Sequence, residues 1–261
     1  MKKVYMMTDM EGISGINSAD FVDPSHWRYA EGRRWLTSDV NAAVEGAFEG
    51  GADVVIVDDA HGGAPHILND LLDPRALFTK PASARNWTPG LDETFTVCFS
   101  IGTHAKAGTP DAFLEHTQSS RVIFRYTLAG IEMGELGQFA VIAGWYGVPV
   151  GLVTGDEAAC REAKELLGPE VVTVPVKKAV GRNVAICRHP KETAALIREA
   201  AREVVKNGSK VKPLKVSFPC EAEIVMMRSD FADERMGRPG VVRVDSRTIR
   251  WTANNPAEFW V

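Results

Sequence analysis

Apolar and polar positions alternate between two rhythms along the first two thirds of the chain. Residues 3–8 are β-rich and apolar and run straight into polar and glycine residues, which predicts a first strand stopping at Asp9. Between residues 38 and 51 the apolar positions Val40, Ala43, Val44, Ala47 and Phe48 follow helical spacing, with Ser38 as N-cap and Gly50-Gly51 as terminator. Residues 52–57 then form a nearly unbroken apolar run, the pattern of a strand buried on both faces, and it ends in Asp58, Asp59, Ala60, His61. Strand, helix, strand implies a right-handed parallel crossover.

The rhythm repeats. Residues 94–101 read as a strand ending in Gly102, Thr103, His104, and residues 149–154 as another ending in Gly155, Asp156. Between them, residues 122–126 and 131–135 flank Ala129-Gly130 and predict a hairpin, followed by a helix to about Tyr146. Further helices are expected over 157–167 and, after Pro190, over 191–206. From Val211 onward the texture changes to short alternating segments at 214–218, 222–227, 241–244 and 248–252. The expected fold is therefore α/β, a mostly parallel open sheet flanked by helices, with a smaller C-terminal α+β portion. A boundary near residue 175 would divide it into 1–175 and 176–261.

Composition narrows the field. With 261 residues, 45% hydrophobic and 25% charged, the chain can bury a substantial core without staples. A net charge of -4 gives no basic footprint for nucleic acid. Cys98, Cys160, Cys187 and Cys220 are widely spaced with no C-x-x-C pair, so neither a thiolate zinc site nor a redox motif is visible, and they read as small buried filler. The apolar stretch before Asp9 is too short for a signal-peptide core, and no apolar run approaches the roughly 20 residues that span a bilayer. A cytoplasmic protein without membrane contact is expected.

Asp9 with Glu11, His61, and His104 each fall just past the C-terminal end of a predicted strand, where open α/β sheets build their sites. Singly, such residues are most often turns, caps or hydrogen-bonded histidines. The pair Asp9-Met10-Glu11 differs, because extended geometry puts both carboxylates on one side of the chain, where they repel unless a cation lies between them. Asp58 and Asp59 read either as turn residues or as carboxylates orienting His61. Trp87, Trp145 and Tyr146 read as core, or as lining a pocket or an intersubunit contact.

The segment from Thr8 to Gly15, Thr-Asp-Met-Glu-Gly-Ile-Ser-Gly, resembles the signature of the DppA-type D-aminopeptidases, a family of self-compartmentalising zinc peptidases. The likeness continues through Asp58-Asp59-Ala60-His61, Gly102-Thr103-His104-Ala105 with Thr109-Pro110, and Gly134-Glu135-Leu136-Gly137. It extends through Gly144 to Val150, Gly155-Asp156 and Lys210 to Leu214, so it covers about the first 215 residues and fades over the last 45. The resemblance implies metal ligands at Asp9, Glu11, His61, His104 and Glu135, with Asp9 bridging two zinc ions, and a catalytic histidine at His116. Met7 departs from the serine usual two residues before the bridging Asp, which implies a packing change.

Three carboxylates and two neutral imidazoles around two divalent cations leave a formal charge of about +1, which a bridging hydroxide would cancel. Manganese or cobalt suits the same donors. The implied function is a dinuclear zinc aminopeptidase that removes the N-terminal residue of short peptides, D-residues included, by a metal-activated hydroxide, with His116 stabilising the oxyanion or moving a proton. The implied assembly is a homo-oligomeric ring, a decamer, with its sites facing an inner chamber. Two rivals remain at this stage. Another metal-dependent hydrolase such as a phosphoesterase would need cations of the type of Arg33, Arg34 or Lys106, and a non-catalytic binding module would lack any G-x-G-x-x-G or P-loop device. No H-E-x-x-H or G-x-S-x-G is present either.

Overall fold

A computed structural model describes residues 1–63, 65–81, 83 and 86–259. Twelve strands and five helices make up its regular elements among those residues. The strands are β1 (Lys3–Thr8), β2 (Val54–Asp59), β3 (Leu77–Thr79), β4 (Val97–Thr103), β5 (Ile123–Leu128), β6 (Ile131–Glu132), β7 (Val150–Asp156), β8 (Val172–Gly181), β9 (Val184–Cys187), β10 (Cys220–Met226), β11 (Val242–Arg243) and β12 (Thr248–Ala253). The helices are α1 (Tyr29–Glu49), α2 (Glu135–Trp145), α3 (Glu157–Leu167), α4 (Pro190–Asn207) and α5 (Ser229–Asp233).

A seven-stranded sheet runs in the order β3-β2-β1-β4-β7-β8-β9, parallel except for the antiparallel edge strand β9. Alternate side chains of β1 divide between two cores, as the two-residue period of a strand demands. Val4 and Met6 join Val55, Val57, Phe99 and the buried faces of α1 and α4 on one side. Tyr5 and Met7 pack on the other with α2 and with a second, antiparallel sheet ordered β11-β12-β10-β5-β6. The architecture is thus a mostly parallel sheet with flanking helices plus an antiparallel sheet, the α/β class that the residue pattern implies. Met7, where the family resemblance led one to look for serine, is buried in this second core.

Three elements depart from the predicted pattern. The first helix begins at Tyr29, nine residues before the Ser38 cap, because Arg33, Trp35 and Leu36 carry the helical face across a polar stretch in which Gly32 is buried against Phe21. Residues 214–218 form no strand, and Leu214, Val216 and Phe218 pack as irregular backbone against the core beneath the antiparallel sheet. The β8–β9 hairpin has no counterpart in the expected elements, since Lys177 and Lys178 interrupt its apolar run. The hairpin at β5–β6 forms as expected.

Candidate active site and metal centre

β1 and its neighbours β2 and β4 end together, and the loop after β1 is tied to both. Ala60 N donates to Thr8 O at 3.1 Å, while Asp9 N donates to Ile101 O at 2.8 Å and Gly12 N to Gly102 O at 2.7 Å. This backbone contact requires glycine on both sides. A Cβ on Gly12 would run into Thr103 O, and one on Gly102, whose φ is +79°, would run into Asp9 O. Ser14 N donates to the buried Asp39 of α1 at 2.7 Å, which holds the far end of the loop.

Five distant side chains meet above these strand ends. His61 Nδ1 lies 2.8 Å from Asp9 Oδ1 and 3.1 Å from Glu11 Oε2. His104 Nε2 lies 3.2 Å from the other Asp9 oxygen, Oδ2, and 3.3 Å from Glu135 Oε1. Asp9 therefore faces one imidazole with each oxygen. Asp9, Glu11 and His104 are buried, and Glu135 and His61 are nearly so. Glu135 opens α2, where an acidic side chain suits the positive end of the helix, and its Oε1 accepts from Gln118 N at 2.7 Å.

His116 is the outermost member. Its ring stacks on His104 with centroids 3.9 Å apart and planes at 12°, and its Nε2 is 3.7 Å from Glu135 Oε1. The Nδ1 atoms of the two rings are spoken for: His104 Nδ1 lies 2.9 Å from Ala105 O, and His116 Nδ1 lies 2.8 Å from Leu114 O. A carbonyl can only accept, so both rings carry hydrogen on Nδ1 and turn Nε2 toward the carboxylates.

An imidazole nitrogen set among carboxylate oxygens is placed as a metal ligand would be. Buried Glu11 Oε2 and His104 Nε2 have no hydrogen-bond partner of acceptable geometry despite their close neighbours. Two clusters, Asp9 with Glu11 and His61, and His104 with His116 and Glu135, have donor atoms close enough to share an ion. Electrostatics points the same way. Burial opposes charge on His104 and His61, yet Glu135, Asp9 and Glu11 around the first, and Glu11 with Asp9 around the second, raise both imidazoles well above their ordinary range. Burial likewise opposes charge on Glu11 and Glu135, but His61 holds the first well below the usual carboxylate range and His104 holds the second below it. Burial, with Glu11 second, pushes Asp9 up. Protons on the imidazoles here do a cation's work, and the oxygen and nitrogen donors fit divalent zinc.

The surrounding residues divide differently from expectation. Neither Asp58 nor Asp59 hydrogen-bonds His61. Asp59 accepts from His66 N and Ile67 N and binds His66 Nδ1 at 3.0 Å, and the His66 ring meets His61 edge to face at 4.6 Å. Asp58 turns to the opposite face of the sheet, beside Tyr5. His66 is thus a buried neighbour of the site. Arg33 donates to His66 O at 2.8 Å and so is engaged in holding this loop. Trp87, Trp145 and Tyr146 line a cavity of about 500 Å³ at the far end of α2, roughly 15 Å from Glu135 by the helix rise. A smaller cavity, about 280 Å³, adjoins His116 and is lined by Ile123, Phe124, Met227, Ser120 and Arg182 among others.

The whole chain, residues 1–261, matches the D-aminopeptidase family, peptidase family M55. This chain belongs to that family. It is 37% identical over 213 residues to the D-aminopeptidase of Bacillus subtilis, covering 81% of this chain and 77% of that protein. The solved structure of the Zn-dependent D-aminopeptidase DppA from Bacillus subtilis, a self-compartmentalizing protease, superposes with a TM-score of 0.93 at 31% identity, over 98% of this chain and 93% of that one. Membership decides for a peptidase over the phosphoesterase and the binding module. No helix among the described residues is long and apolar enough to cross a membrane.

Proposed function

We propose that this D-aminopeptidase family member is a dinuclear zinc aminopeptidase that releases the N-terminal residue of short peptides, D-amino acid peptides among them. The observation that carries the reading is Asp9, whose two oxygens face two different imidazoles at 2.8 and 3.2 Å, as a bridging carboxylate must. Asp9, Glu11 and His61 would hold one ion and Asp9, His104 and Glu135 the other. When bound, such a pair polarises a carbonyl and lowers the pKa of water from about 15.7 toward 7.

The chain's own groups supply the rest. His116, outermost of the cluster and held through Nδ1 on Leu114 O, turns Nε2 to the site, where it accepts or returns the proton at the leaving amine or, protonated, stabilises the oxyanion. The 280 Å³ cavity beside it takes a side chain of the substrate, with Phe124 and Met227 as apolar walls. The relative described as self-compartmentalizing supports a homo-oligomer, up to the ring-shaped decamer, which admits only short peptides to its chamber. Four unpaired cysteines suit a reducing, cytoplasmic location.

Metal analysis with a screen over paired D- and L-residue dipeptides tests the reading. Two zinc ions per subunit and chelator-sensitive release of N-terminal residues are expected, and one ion or none would overturn the dinuclear assignment. His116→Ala should lose about 10²–10⁴ in kcat/KM and keep both ions. Loss of an ion in that variant would make His116 a ligand instead, as its place in the His104 and Glu135 cluster permits.

A further inference from the structure

Lys177 is a buried lysine of β8, only 2% exposed. Its Nζ donates to Glu11 O at 2.7 Å and to Ile16 O at 3.0 Å, and it stands 4.6 Å from the centre of the Phe113 ring. Among the described residues it is the one hydrogen-bond donor to Glu11 O, whereas Ile16 O also accepts from the Cys187 thiol at 3.1 Å. Phe113 lies three residues before His116 on a loop whose Phe113 N donates to Asp156 Oδ2 at 2.8 Å, and Asp156 pairs with Lys177 in the sheet register. One ammonium therefore touches both the loop that carries Asp9 and Glu11 and the loop that delivers His116.

Among the described residues no carboxylate pairs directly with this cation, whose hydrogen bonds go to two backbone carbonyls, and burying an ammonium without a counter-ion is costly. A methionine would fill the same space but would leave the Glu11 carbonyl without its donor, so the lysine is tied to the conformation of the loop that carries Asp9 and Glu11.

We propose that Lys177 is a positioning residue of the metal centre. By clamping the Glu11 and Ile16 carbonyls from below it aims the Glu11 carboxylate, and through the Phe113 face it sets the height of the His116 loop. Groups that orient metal ligands at one remove are commonly worth 10–100-fold in metal affinity. The inference rests on the dinuclear reading above and concerns the ion held by Glu11 and His61.

The test is zinc binding to full-length wild type, Lys177→Met and Lys177→Arg in graded zinc buffers, with metal counted per subunit and apoprotein Tm measured alongside. Lys177→Met should weaken one of the two ions by about 10–100-fold and leave the other near wild type. Lys177→Arg, which keeps charge and donors, should recover most of that loss. A purely structural lysine would lower the apoprotein Tm while leaving the ratio of the two affinities unchanged, and that result overturns the proposal. Should the Met variant not fold, the d–d bands of the cobalt-substituted Arg and Gln variants decide, since bands identical to wild type in Lys177→Gln also overturn it. A wild type that binds fewer than two ions fails the dinuclear reading instead.

Discussion

The imidazoles of His61 and His104 put two opposite pH dependences into one site. In the metal-free protein, carboxylate neighbours raise both histidines well above the ordinary value near 6.5, so the stability they contribute is full below about 6.5 and is lost as pH rises through the raised values. With zinc bound the same rings must be neutral, so metal binding strengthens as pH rises. The gap in Tm between zinc-loaded and metal-free protein should therefore widen between pH 6 and 8, and a constant gap in calorimetry would contradict these ligand assignments. Asp58 is a separate case, fully buried on the far face of the sheet, where burial pushes it up to about 7 against the pull of the Tyr5 hydroxyl. A raised carboxyl destabilises the fold as pH climbs from about 4 through 7. Asp58→Asn should therefore gain stability at pH 8, by up to about 4 kcal/mol at about 1.4 kcal/mol per unit, and little at pH 4, as read by urea denaturation at both pH values.

Elements, not single residues, decide whether the ligands meet. The loop between β1 and α1 lies directly on the end of β4, glycine against backbone, so its height is set by the missing Cβ atoms of Gly12 and Gly102. Gly102→Ala carries both a collision with Asp9 O and an unfavourable φ of +79°. We expect it to lose zinc at concentrations that saturate wild type, measured by metal content after gel filtration, while far-UV circular dichroism stays close to wild type. A Gly102→Ala protein with full zinc content would show that this contact does not govern the site. Helix α2 acts at the same scale, since its first residue is Glu135 and its buried length fixes that carboxylate to the rigid core.

At the scale of the whole molecule the seven-stranded sheet ends in two edges with exposed apolar side chains, Leu77 and Phe78 on β3 and Val184 and Ile186 on β9. Bare apolar edges favour association over a free monomer. If the protein assembles as its relative's description suggests, the β9 edge is a natural contact. The double variant Val184→Asp, Ile186→Asp should then shift sedimentation to smaller species while the subunit still binds zinc. Unchanged sedimentation would place the interface elsewhere.

Much of this protein follows from the order of its residues. The two-residue and helical rhythms located β1, β2, β4 and β7 to within a few residues and matched α3 end to end, because buried parallel strands and amphipathic helices write their burial directly into the chain. The motifs that the resemblance rested on lie at the ends of those strands, so the family and the candidate residues were legible too. Other features belong to contacts between segments far apart in sequence. β5 pairs with β10 across about a hundred residues, and the lysines of β8 interrupt a run whose burial comes from its neighbours. His66, Asp39 and Lys177 carry no motif, and each gains its place at the site only when loops from four strands close over one point. Local propensity acts over a few residues, whereas the field that aims a ligand is made by charges and carbonyls that only the folded chain brings within 3 Å of one another.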